Sequence, residues 1–313
     1  MQNRARPAQS ARQAAPTLQQ TKREKIEMKT AMARLAWGGA ILLTGIGTAT
    51  AQDQQTEATG TDETTLRVCA STQEAPYSTK DGTGFENVIA GILAEEAGME
   101  LDLVMIDKAA IYLARDGIDE GICDVLIGVD AGDERLLTSE PYYRSAYAFV
   151  SREDRGFEGD KWEDVDQEGY NTFAYRYHSP AETILKYTGR YEYNLVYQAS
   201  LTDFQDRRNQ YTQVEASRVV SEVAAGNADL GIIFAPDAGR YVRDSREPLK
   251  MTLITNEIER SDGLMIPLQY SQSVGISKEK PELVDTINSA LESGRERIEA
   301  VLADEGIPTL PLE

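Results

Sequence analysis

From residue 65 onward, short apolar runs that suit strands alternate with segments whose apolar positions recur every three to four residues. Leu66-Arg67-Val68-Cys69-Ala70 reads as a first strand. Asn87 to Ala97 sets Val88, Ile89, Ile92 and Leu93 on one helical face and runs into Gly98, which suits a helix end. Leu101 to Ile106 is predicted as a second strand, Ala110 to Glu120 as a helix, and Asp124 to Val129 as a third strand. Strand, helix, strand, helix, strand implies an α/β fold with a parallel sheet and right-handed crossovers.

Ala146-Tyr147-Ala148-Phe149-Val150 follows as a fourth strand, introduced by Pro141 to Ser145 and cut off by Ser151-Arg152-Glu153-Asp154. A strand ending in a charge cluster suits a chain that leaves one core to begin another. From residue 157 the alternation starts afresh. Tyr170 to Tyr177 is strand-like, and Ser179-Pro180-Ala181-Glu182 reads as a capping box with proline at the first helical position. Asn194 to Tyr197 is strand-like, Ser217 to Ala225 helical, Asp229 to Phe234 a strand, and Lys250 to Thr255 and Ser273 to Ile276 are extended. A final helix carries Leu283, Ile287, Ala290 and Leu291 on one face, followed by Ile298, Val301 and Leu302. Two rounds of α/β fit one large sheet or two lobes; the break after Val150 favours two, with a return crossing near Lys250.

The N-terminus reads differently. Met28-Lys29 and Met32-Ala33-Arg34 precede an apolar run from Leu35 to Ile46, which closes on Ala49-Thr50-Ala51. A positive flank, a short apolar core and small residues at a cut site make a secretory signal peptide, too short to anchor in a bilayer. The polar residues before Met28 have no place in such a signal, so translation is expected to start at Met28 or Met32. Residues 52–64 form a polar linker. Residues 1–51 hold eight of the 32 Lys/Arg and two of the 52 Asp/Glu, so the exported chain carries a formal charge near −26. Nucleic acid and anionic membrane are poor partners for it; groups of opposite charge are better ones.

Chemistry-bearing residues are few. The two cysteines, Cys69 and Cys123, can persist as a disulfide in an oxidising compartment but belong to no Cys-x-x-Cys-His haem motif. An acidic stretch from Asp164 fails as a calcium loop because Tyr175 stands where a bidentate Glu is needed. No metal or cofactor is expected. His178, the single histidine, precedes a helix cap with no nucleophile marked out for it, so no catalytic residue is assigned.

Several segments resemble a known family. Leu66 to Ser71 with Pro76-Tyr77, Gly84-Phe85-Glu86-Asn87, Cys123-Asp124-Val125, Gly128 to Arg135 and Pro141-Tyr142-Tyr143-Arg144-Ser145 look like the first lobe of a periplasmic solute-binding protein of the type II, amino-acid-binding-like superfamily. Together with the ending Val301-Leu302 to Gly306-Ile307-Pro308, they resemble the J proteins of bacterial methanol oxidation, the MoxJ or MxaJ family. The resemblance implies a two-lobed fold, each lobe a mainly parallel sheet flanked by helices. It places lobe 1 at 65–150 plus 251–313, lobe 2 at 151–250, and a double hinge near Ser151 and Lys250. It also implies a Cys69–Cys123 disulfide, because first and third strands are neighbours in that sheet order.

For the cleft, the resemblance sets Arg135 where amino-acid-binding relatives grip the ligand carboxylate, Asp130 where they carry a threonine, and Phe234 where they carry the carboxylate that holds the ammonium. A guanidinium suits a carboxylate, but Asp130 repels one, and a salt bridge from Arg135 to Asp130 or Glu134 is the competing reading. Tyr77, Ser179 and Phe234 are further cleft candidates, with Tyr142, Tyr143 and Arg144 at the rim for ligand or partner; Phe85 is expected in the core. The family implies a periplasmic accessory protein, not an enzyme, whose partner is a PQQ methanol dehydrogenase. Two alternatives stand beside it: the binding component of an importer for a small polar or aromatic solute, and a cyclohexadienyl-dehydratase-like enzyme using Asp130 and Arg135. Signal cleavage is expected after Ala51, and mass spectrometry of the exported protein should find Gln52 at its N-terminus.

Overall fold

The computed structural model describes residues 64–202 and 212–312. The expected signal peptide, and the linker up to residue 63, lie outside the described residues. The strands are β1 (Thr65–Ser71), β2 (Gln73–Glu74), β3 (Ser78–Thr79), β4 (Glu100–Ile106), β5 (Val125–Asp130), β6 (Leu137–Thr138), β7 (Tyr143–Arg152), β8 (Phe173–Tyr175), β9 (Leu230–Phe234), β10 (Leu249–Leu253), β11 (Ile258–Glu259), β12 (Met265–Ile266) and β13 (Gln269–Ile276). The helices are α1 (Phe85–Glu96), α2 (Pro180–Tyr187), α3 (Tyr191–Ser200), α4 (Ala216–Ala224), α5 (Ala235–Arg243), α6 (Leu283–Ser293) and α7 (Arg295–Asp304).

Strand order across the main sheet is β4-β1-β5-β13-β7-β9-β8, with β10 added to β7 and β6 to β13. β1 runs parallel to both β4 and β5, as the strand-helix alternation required. It is covered on both faces: Leu66 and Val68 pack against Phe85, Ile89 and Leu93 of α1, while Cys69 faces a separate cluster with Leu113, Ile118 and Leu126. β4 is the edge strand, and exposed Glu100 and Asp102 discourage pairing along it. Cys69 and Cys123 are joined, their Cα atoms 5.5 Å apart, within the usual span of a bridge. The helix expected over 110–120 is instead a 3₁₀ turn (Ala110–Tyr112) and a π turn (Ala114–Ile118), with Gly117 seated against the disulfide sulfurs.

β7 joins the two halves. Its first four residues, Tyr143 to Ala146, pair antiparallel with Gln269 to Gln272 of β13, and from Tyr147 onward the same strand pairs with β9 and then β10. Tyr143 therefore lies in the α1 core while Phe149 and Val150 lie in two clusters of the second half. This corrects the rim position expected for Tyr143, which is only 2% exposed because its ring faces the sheet interior rather than solvent.

The second half departs from expectation at Asn194–Tyr197, which is part of α3 and not a strand. The reason is hydrogen bonding at an open edge. β8 ends the sheet, so its outward backbone groups need partners. Asn194 and Gln198, one helical turn apart and both buried, supply them: the Asn194 side chain accepts from the Phe173 N–H (2.9 Å) and donates to its carbonyl (2.7 Å), and Gln198 does the same for Tyr175. Gln213 continues the pattern at Tyr177. Leu195 and the β-favouring Val196 face outward, Val196 being 84% exposed. Ser179 does begin α2, but its hydroxyl turns back to the Arg176 carbonyl (2.6 Å) instead of capping the helix, while the Glu182 carboxylate accepts from the His178 N–H. The expected final helix is two, α6 and α7, broken at Gly294, where a side chain would meet Ile92.

The buried position of Tyr143 carries a prediction. Its hydroxyl has no hydrogen-bond partner among the described residues, so Tyr143→Phe should leave stability within about 1 kcal/mol of the parent. Tyr143→Ala should cost about 3–5 kcal/mol by opening a cavity in the α1 core, both read by chemical denaturation.

Candidate ligand cleft

Between the C-terminal ends of β1 and β5, the turn after β8 and the start of α5 lies a cavity of about 450 Å³, a size that suits a small ligand or a side chain. Glu86 enters it from the first turn of α1. Gly128, at the end of the apolar part of β5, has φ +72°, and a Cβ on it would run into the Glu86 carboxylate. Only glycine both adopts that backbone and leaves the space. On the opposite wall Phe234 is the last residue of β9, and Asp237 follows in the first turn of α5, where the helix dipole favours a negative charge.

Arg176, just beyond β8, reaches across: its Nη1 lies 2.7 Å from Asp237 Oδ1, and its Nη2 lies 3.6 Å from Glu74 Oε2. The guanidinium thus ties a carboxylate of its own half to one of the other. Burial pushes the Glu74 carboxyl up, with Arg176 opposing the shift. Glu86 lies well above the usual carboxylate range, because burial and the nearby charges of Glu74 and Asp237 all disfavour its ionised form. Its carboxylate has no hydrogen bond or ion pair among the described residues. Around these charges stand three rings, Tyr147, Phe234 and Tyr270, with centroids 5.6 to 6.3 Å apart pairwise. Tyr77 adds a fourth, its ring tilted at 44° and 4.9 Å from that of Phe85, which is buried as expected.

Of the residues singled out from sequence, Tyr77, Asp130, Ser179 and Phe234 line this cavity. The others do not. Arg135 is exposed and its guanidinium lies along the Asp133 carboxylate (2.6 Å), not on Asp130 or Glu134. Asp130 instead accepts from Gln272 Nε2 (2.8 Å). The Asp130/Arg135 pair that a dehydratase-like site needs is therefore not assembled. Tyr142 is half-buried and edge-on to Tyr143 at 5.0 Å, and it faces a separate groove with Glu140 and Asn288. Arg144 is half-buried beside Gln269, to which it donates at 2.8 Å. Exposed His178 lies at the cavity wall with φ +56°.

Sequence reasoning passed over Glu74, Glu86, Tyr147, Arg176, Asp237 and Tyr270. For Glu86 a signal was present: a carboxylate beside Phe85, in the first turn of a helix whose neighbours Phe85 and Asn87 are buried. Asp237 likewise follows the Phe234-Ala-Pro lead-in to a helix.

No protein-family model matches the sequence. Curated relatives do: the chain is 73% identical over 250 residues to MoxJ of Paracoccus denitrificans, covering 80% of this chain and 91% of that protein. It is 43% identical over 291 residues to MoxJ of Methylorubrum extorquens, covering 91% and 97%. This chain belongs to the MoxJ family. Among solved structures, MxaJ from Methlophaga aminisulfidivorans superimposes with a TM-score of 0.74 at 42% identity, covering 78% of this chain and all of that one. The periplasmic binding protein XoxJ from Methylobacterium extorquens superimposes with a TM-score of 0.58 at 24% identity, covering 79% and 100%, which establishes the two-lobed binding-protein fold. In this MoxJ-family chain the arginine that lines the cleft is engaged by carboxylates of the protein.

The Glu86 carboxyl yields a pH test. Its folded pKa is raised, so the ionised form costs stability in full above that folded pKa, and the cost disappears below the unfolded value of about 4.3. Glu86→Gln removes it. The melting temperature of Glu86→Gln should exceed the parent's at pH 8, with the difference shrinking steadily toward pH 4.

Proposed function

We propose that this protein is a periplasmic accessory component of a methanol oxidation system, exported by a leader cut after Ala51, which binds a PQQ methanol dehydrogenase and assists its maturation or activity. Membership of the MoxJ family carries the reading. The lobes are taken as 65–150 plus 251–313 and 151–250; Ser151 and Lys250, the two proposed hinge positions, face each other in the β7–β10 pairing. The protein acts by binding rather than by catalysis: among the described residues the Ser179 hydroxyl beside His178 donates to the Arg176 carbonyl, and Asp130 and Arg135 are held by other partners.

The cavity itself favours a second reading, the ligand-binding component of an importer. Amino acids fit it poorly. A ligand carboxylate would have to displace Asp237 from Arg176 while facing Glu74 and Glu86, and an uncompensated buried charge costs several kcal/mol.

Deletion of the gene separates the readings. The accessory role predicts that methanol-dehydrogenase activity, or its cofactor content, falls at least severalfold while solute uptake is unchanged, and that the dehydrogenase is retained on immobilised protein. Normal dehydrogenase with failed uptake of one solute would transfer the protein to the importer class.

A further inference from the structure

The charges that face the cavity do not balance. Four carboxylates, Glu74, Glu86, Asp130 and Asp237, line it against one guanidinium, Arg176. Asp237 and Glu74 are engaged by Arg176 and Asp130 is held by Gln272, which leaves Glu86 without a partner among the described residues. In the α1 core nearby, the Tyr143 hydroxyl is buried with no partner among the described residues, and the charge that acts on it most is Glu86, followed by Asp237 and Asp130. The Glu86 carboxylate, left open toward the cavity, forms one polar corner of the site. Tyr147, Phe234 and Tyr270 form the other wall, and ring faces attract cations.

We propose that this cavity holds an organic cation, an alkylammonium or alkylguanidinium group that carries no carboxylate of its own, with Glu86 as its counter-ion and the Tyr147/Phe234/Tyr270 rings around its alkyl stem. A cation supplies the missing positive charge without competing for Arg176. A zwitterion brings a carboxylate into a site that already has three more of them than guanidinium groups. The geometry suits an organic group better than a metal ion: among the described residues no three His, Cys, Asp or Glu side chains converge to hold one. The same chemistry is offered by a free amine and by a lysine or arginine side chain of a polypeptide. The inference rests on the cleft alone and stands or falls separately from the dehydrogenase partnership.

Calorimetry on the exported protein decides it, with agmatine and cadaverine as small cations, arginine and lysine as their zwitterionic counterparts, and an end-blocked arginine peptide as the polypeptide source. Saturable binding of agmatine or cadaverine is expected, with the matching amino acid about tenfold weaker or worse. Glu86→Gln should lower the affinity about tenfold, and Phe234→Leu about fivefold, with both variants keeping the parent's circular dichroism. Tighter binding of the blocked peptide than of agmatine assigns the site to a partner's side chain; the reverse order assigns it to a free amine. The proposal is overturned if the protein binds none of the cations, if arginine matches agmatine, if Glu86→Gln binds as the parent does, or if calcium competes for the site.

Discussion

The contact of Gly239 with Glu305 and Gly306 decides where the two halves of the cleft stand. A Cβ on Gly239 would lie 2.7 Å from the Glu305 carbonyl oxygen, closer than a side chain tolerates, so α5 approaches the end of α7 backbone to backbone. One residue on, Arg240 grips Glu305 with both fork nitrogens at 2.7 Å and reaches the Thr83 carbonyl (3.3 Å), just ahead of α1. A two-pronged guanidinium–carboxylate pair sets direction as well as distance. α5 is only nine residues long, so what holds Gly239 and Arg240 also positions Phe234 and Asp237 at the other end. Widening this contact would carry Asp237 and the Phe234 ring away from Glu86 together.

The other wall depends on a different device. Arg176 leaves the sheet directly after β8, the edge strand, and an edge strand three residues long has little pairing of its own. The side-chain amides of Asn194, Gln198 and Gln213 take the place of a missing neighbour, meeting the backbone at Phe173, Tyr175 and Tyr177. Two consequences follow. The edge is closed to pairing with another chain, and the backbone on either side of Arg176 is held in line, so its guanidinium can span from Asp237 to Glu74. The ion pair across the cleft is thus supported from behind by neutral hydrogen bonds.

How much of this was legible in the residues follows from what each signal encodes. The order of β1, α1, β4 and β5 was readable because Leu66/Val68 and Ile89/Ile92/Leu93 follow the periods of a strand and a helix, and burial enforces those periods. The joining of Cys69 to Cys123 could be expected from strand order in the resembling family. Asn194–Tyr197 was misread because Val and Tyr favour strands in isolation, whereas the deciding groups were two amides spaced by four, whose value exists only beside an open sheet edge. Tyr143 was misplaced because the family resemblance put it at the cleft rim, whereas the register of β7 against β13 turns its ring inward. Arg135 was misjudged in its partner, since Asp133, two residues away, reaches it before either candidate does. The acids of the cleft come from β2, α1, β5 and α5, and no local pattern announces that four separated segments will converge.

That convergence has an energetic meaning. The acidic surface is largely solvated, and its ion pairs contribute little. Glu86 differs from it. The residue is half-buried, its carboxylate is unpaired among the described residues and near two other acids, and its pKa is raised, so at neutral pH it costs the folded state stability that a glutamine would not. The cost is built into neighbouring backbone, because Gly128 must hold φ +72° with no side chain for the carboxylate to fit at all. An arrangement in which one element gives up a side chain to make room for a charge that destabilises another is hard to explain by packing. It becomes favourable once a positive group arrives, since the same carboxylate then gains a partner in a site of low polarity, where the attraction is stronger than in water.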